Sequence, residues 1–92
     1  MRTIRELLKT DNRENGYEIL NDNTIVIYNS RSYMLWPETE QFLGIIDMNW
    51  NRGDIVKSVE HEDIPQESGW HDACIIKFNI SLDEEIEVKE AI

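Results

Sequence analysis

The chain has 92 residues, with nine Lys plus Arg against nineteen Asp plus Glu, a formal net charge of −10. That length fits a single domain over residues 1–92, and a lone cysteine excludes an internal disulfide and points to a reducing, cytoplasmic setting. No apolar run reaches the roughly 18–20 residues that cross a bilayer, the start lacks a signal peptide's apolar stretch, and the spread of aromatic residues excludes a disordered chain.

The first element is a helix. Thr3-Ile4-Arg5-Glu6 has capping-box spacing, in which the Thr3 hydroxyl accepts from one free N–H and Glu6 returns to the Thr3 N–H. Ile4, Leu7 and Leu8 fall on one face at i, i+3 and i+4, polar residues 9–15 dilute that face, and Gly16 closes the segment. Three strand-like runs follow. Residues 17–20 lead into Asn21-Asp22-Asn23, types that tolerate tight turns. Residues 24–28 are consecutive β-branched or aromatic residues, apolar on both faces, and are expected at the centre of a sheet. After a turn at residues 29–32, Tyr33-Met34-Leu35-Trp36 reads as a third strand stopped by Pro37. Connections this short make an antiparallel meander.

Residues 37–47 are predicted to form a second helix. Proline suits the first turn, Glu38 and Glu40 complement the dipole, and Phe42, Leu43, Ile45 and Ile46 make an apolar stripe. Gly44 inside it is expected to permit a close approach to the sheet. Asn51-Arg52-Gly53-Asp54 reads as a turn. Residues 55–59 suit a helical face or a short strand, with strand preferred, and residues 60–69 read as a loop. Residues 73–80 read as a strand, with Cys74, Ile76, Phe78 and Ile80 on one side. Residues 86–89 can return as a final hairpin strand, against a competing helix that starts at the Ser81-x-x-Glu84 capping box. The sum is a small α+β domain: N-terminal helix, three-stranded meander, second helix and C-terminal hairpin, with a largely antiparallel sheet and helices on one face.

No constellation specifies a reaction. His61, His71 and Cys74 supply only one tight pair, His71-x-x-Cys74, where a closed zinc site wants two. Cys74 in an apolar strand reads as a small hydrophobe. The acids stand among polar residues except Asp47 and Asp72, and His71 and Asp72, adjacent on a strand, point to opposite faces. The four glycines are isolated, with no phosphate-cradling loop, and no Ser or Cys sits in a nucleophile motif. The expectation is therefore no enzyme, no catalytic residue, no cofactor and no metal.

The remaining signal is charge. Residues 1–36 carry five acids and five bases, whereas residues 60–92 carry ten acids against Lys77 and Lys89. Such a field repels nucleic acid and anionic membrane and attracts basic surfaces. If residues 83–89 are extended, Asp83, Glu85 and Glu87 project from one face about 6.6–6.8 Å apart, close to the phosphate spacing of a nucleic-acid strand, and Glu60 and Glu62 repeat the interval. Small size, absent catalytic apparatus and concentrated carboxylates resemble, in style and without a matching motif, phage-encoded inhibitors such as anti-CRISPR and anti-restriction proteins. The expected function is an acidic inhibitor that binds a basic, nucleic-acid-processing partner, with no direct nucleic-acid binding. The alternatives are an immunity or antitoxin-like protein that neutralises a basic nuclease, and a regulatory module whose acidic surface is only solubilising. A homodimer through strand edges is compatible with each. The residues expected to contact the partner are Glu60, Glu62, Asp63, Glu67, Asp83, Glu84, Glu85 and Glu87, gathered into one surface, with Trp50 as a partly exposed aromatic anchor.

Overall fold

The computed structural model describes residues 1–10, 16–31, 33, 35–64 and 69–89; residues 11–15, Ser32, Met34, Pro65 and Glu67 therefore lie outside the described residues. The elements run α1 (Ile4–Thr10), β1 (Tyr17–Asn21), β2 (Thr24–Asn29), α2 (Pro37–Asn49), α3 (Arg52–Ile55), β3 (Val56–Asp63) and β4 (Asp72–Phe78). The strands form one antiparallel sheet in the order β1-β2-β4-β3, and the helices pack on one of its faces. This is the anticipated α+β class.

The cap of α1 forms as its sequence dictates, with the Glu6 N–H donating to Thr3 Oγ1 at 3.1 Å, and Ile4, Leu7 and Leu8 are buried. The turn after β1 is closed by Asn21, whose Oδ1 accepts from the Asn23 N–H at 3.0 Å. Strand β2 lies between β1 and β4, the interior position its apolar run requires. Ile25 and Ile27 on β2 and Ile76 and Phe78 on β4 meet Phe42, Leu43 and Ile46 of α2 in the core. Among the described residues, that alternation buries one sheet face beneath the helices and leaves the other, open face without a covering helix.

Several local expectations are corrected. Tyr33, Leu35 and Trp36 lie outside any strand, and Trp36 adopts a left-handed backbone (φ 52°, ψ 57°) just before α2. The second partner of β2 is instead β4, which offers a longer apolar strand. Gly44 faces open space, since a Cβ there would meet nothing within 4 Å, so it permits no close approach. Residues 52–55 form the single-turn helix α3, held by Arg52 against Asp47. Strand β3 continues to Asp63 because β4 pairs with it along that length, whatever its polarity. The hairpin of the C-terminal half is β3–β4. Residues 82–89 run back to the N-terminus: Leu82 is fully buried, Arg2 and Ile86 exchange backbone hydrogen bonds at 3.0 and 2.8 Å, and the Lys89 N–H donates to the Asn49 carbonyl at 2.8 Å.

Candidate interaction surface

The open face is fixed by strand register. Glu18, Val26, Ile75 and Glu60 lie in one row across β1, β2, β4 and β3, and Tyr28, Ala73 and Glu62 in the next. Side chains in such rows share a face, and these alternate with the buried Ile25, Ile27 and Ile76. Val26 and Ile75 are half-buried at the centre, and Trp70 stacks on Tyr28 with ring centroids 6.0 Å apart. Glu18 stands on one edge strand and Glu60 and Glu62 on the other, separated by three strand spacings, about 14 Å. The result is an aromatic and aliphatic strip between two acidic margins, with Lys77 on the same face towards one end. The Tyr28 phenol is pushed above its ordinary value, first by burial and then by its hydrogen bond to Glu18.

The covered face becomes polar where β2 ends and β4 begins. Asn29, Asp72 and Asp63 form a row there, next to a row of Ile27, Cys74 and His61. Asn29 is fully buried, and its Oδ1 accepts from both the Thr39 N–H and the Thr39 hydroxyl at 3.0 Å. The N-cap position of α2, Trp36, supplies no side-chain cap, so β2 caps this helix from outside. Ser30 reinforces the junction, its N–H and hydroxyl donating to the Glu38 carboxylate at 2.9 and 2.6 Å. Trp36 stacks on His61, with ring centroids 5.3 Å apart. His61 Nε2 lies 3.2 Å from Asp72 Oδ2 and 4.0 Å from Asp63 Oδ1. Cys74 is buried beside Asn29, and burial pushes its thiol up, which disfavours a nucleophilic thiolate. Among the described residues, no group of three or more His, Cys, Asp or Glu could hold a metal ion.

The residues expected from sequence to contact a partner do not form one surface. Glu60 and Glu62 project from β3 on the open face. Asp63 lies at the end of β3, in register with Asp72 on the covered-face side. Asp83 belongs to the other end of the sheet and pairs with Arg5 of α1 through two contacts at 2.6 and 3.2 Å, which hold its carboxyl below the usual range. Glu84, Glu85 and Glu87 are exposed in the segment that returns to the N-terminus, which is not a strand, so the phosphate-like interval does not extend there. Glu67 lies outside the described residues. Trp50 is only 4 % exposed and belongs to the core, which corrects its reading as an exposed anchor. The signal was present: Trp50 follows Ile46 by one helical turn and extends the buried stripe of α2.

Sequence reasoning also missed Glu18, Tyr28 and Trp70. Strict alternation along β2, with Ile25 and Ile27 facing in, already turns Val26 and Tyr28 outward. Trp70 carried no such signal, because it precedes β4 and reaches Tyr28 only through the β2–β4 pairing. Comparison with known proteins finds no matching family model, no matching curated protein and no matching solved structure.

Proposed function

We propose that the chain is a small acidic binding protein whose open sheet face docks on a basic protein, and that it blocks a nucleic-acid-processing partner in the cytoplasm in the manner of a phage-type inhibitor. The carrying observation is the strip of Val26, Tyr28, Trp70 and Ile75 between Glu18 and the Glu60/Glu62 pair. Apolar and aromatic side chains at the centre supply desolvation, as in the hot spots of protein interfaces. Carboxylates at the margins steer a Lys- or Arg-rich surface into register. The two-residue interval of Glu60 and Glu62, about 6.6–6.8 Å, supports a limited form of nucleic-acid mimicry on one strand. Opposing carboxylates cost the free protein a little stability, which a basic partner returns on binding.

The test is affinity capture from host lysate with the wild-type chain and with a Glu18→Lys, Glu60→Lys, Glu62→Lys variant. The wild type is expected to retain a basic nucleic-acid-binding protein that both salt and added duplex DNA release, and the variant to lose it. Retention by both chains, or capture indifferent to salt, contradicts the proposal. A cognate toxic nuclease as the captured protein would select the immunity reading over the phage inhibitor.

A further inference from the structure

We infer that the outer edge of β3 takes up an extended, Lys- or Arg-bearing segment of the basic partner as an added strand of the sheet. The inference rests on the reading of the chain as a binder of basic proteins, and it names the backbone contact that holds such a partner. In the order β1-β2-β4-β3, strand β3 is terminal, so every second residue turns its N–H and C=O away from β4. Among the described residues, no backbone group of residues 58–63 bonds outside the sheet ladder. Glu60, His61, Glu62 and Asp63 are all exposed, so no described element covers this stretch.

The edge is also regular enough to accept a strand. Its bulge lies at one end, between Val56 and Ser58, and from Ser58 to Asp63 the pairing with β4 advances one residue at a time. That stretch spans about 17 Å at ~3.4 Å per step, the length of an ordinary strand. The opposite edge, β1, is a poorer template, because its register breaks between Ile19 and Asn21. Charge selects the occupant. Charged side chains guard an edge against indiscriminate pairing, and here Glu60, Glu62 and Asp63 are all of one sign. Among the described residues, neither Glu60 nor Glu62 takes part in an ion pair. A second copy of the chain would bring the same carboxylates to the seam and is repelled, as is any acidic segment. A strand with basic residues at alternate positions instead sets them on the open face beside Glu60 and Glu62, at cross-strand Cβ separations of about 4.5–5.5 Å. Main-chain hydrogen bonds then supply affinity whatever the sequence, and the two carboxylates specify the cationic alternation.

The experiment is an NMR titration of the ¹⁵N-labelled chain with a capped heptapeptide of alternating threonine and lysine. Two further versions of the peptide are N-methylated at alternate residues, one for each edge of the peptide strand. Methylation keeps the charge and removes the donors of that edge. With the parent peptide, saturable shifts and slowed amide exchange are expected, centred on residues 58–63. At least one methylated version should bind at least about tenfold more weakly, and replacing the lysines by glutamate should abolish the response. Equal binding by both methylated versions would reduce the contact to charge alone and overturn the inference. Shifts centred on β1, on Val26 and Tyr28, or on Glu84 to Glu87 would also overturn it, as would no saturable response. The chain is used unaltered, so no variant has to fold. Capture of a basic protein through the open face, with failure here, would overturn only the added strand and leave that reading standing.

Discussion

Replacing Asn29 by alanine should be among the most damaging single changes in this domain. Its side chain is fully buried and joins β2 to the first turn of α2, where it accepts from the Thr39 N–H and hydroxyl at 3.0 Å each and donates to Cys74 Sγ at 3.6 Å. Thr39 is itself fully buried, so no water can replace Asn29 without opening the junction. Each buried donor left unsatisfied costs about 1–3 kcal/mol, so the two on Thr39 imply a loss of about 3 kcal/mol. A domain of this size has only about 5–15 kcal/mol in total. With a urea m-value of about 1–1.5 kcal/mol/M, the midpoint should fall by about 2 M. A double-mutant cycle with Thr39→Val isolates the contact: removing the hydroxyl first should make Asn29→Ala cheaper by about 1 kcal/mol. A midpoint shift below about 0.5 M, or strictly additive losses, would refute the claim that Asn29 caps α2 from the neighbouring strand.

Three further outcomes follow from the same geometry. Gly44→Ala in the middle of α2 adds a Cβ into open space and should stabilise the domain by about 0.5–1 kcal/mol, read as a higher urea midpoint. The Arg5 guanidinium holds the Asp83 carboxyl below its ordinary value, so the pair's small contribution is present above the unfolded carboxylate range near pH 4 and is lost as pH falls through the lower folded value. The difference in urea midpoint between wild type and Asp83→Asn should therefore vanish at strongly acidic pH, and should shrink with salt at neutral pH because the pair is exposed. The Tyr28 phenol, raised by burial and by Glu18, should ionise above the ordinary tyrosine value of about 10 in an ultraviolet titration referenced to Tyr28→Phe. Its contribution to stability is complete below that ordinary value and disappears as pH rises through the folded one, and Glu18→Gln should lower the transition.

Much of the scaffold was legible because local chemistry and tertiary packing agree there. The Thr3 cap, the i, i+3, i+4 stripe of α1, the Pro-initiated α2 and the apolar alternation of β4 each predict what forms. Where they disagree, the pairing partner decides. Residues 60–63 read as a loop because their side chains are charged, yet β4 supplies a full ladder while all four residues stay exposed. Residues 33–36 read as a strand, but that side of β2 is taken by β4, and the chain enters α2 through a left-handed Trp36. Leu82 sits in a polar stretch that reads as surface, and long-range contact with α1 buries it. For the candidate surface, composition located Glu60 and Glu62 but not their setting. Glu18 belongs to the electrically neutral first third and joins them only through sheet order, while Asp83, from the acidic end, is drawn away by Arg5. The proposed basic partner thus rests on charge in the sequence, and the proposed docking face on the register of four strands.

The claim that the open sheet face is the docking surface is tested most directly by mapping the ¹⁵N-labelled chain in complex with the captured basic protein. The account predicts the largest perturbations at Glu18, Val26, Tyr28, Glu60, Glu62, Trp70 and Ile75, with the exposed helix faces and Glu84 to Glu87 little changed. Perturbations centred on Glu84 to Glu87 or on α2, with the open face silent, would contradict it.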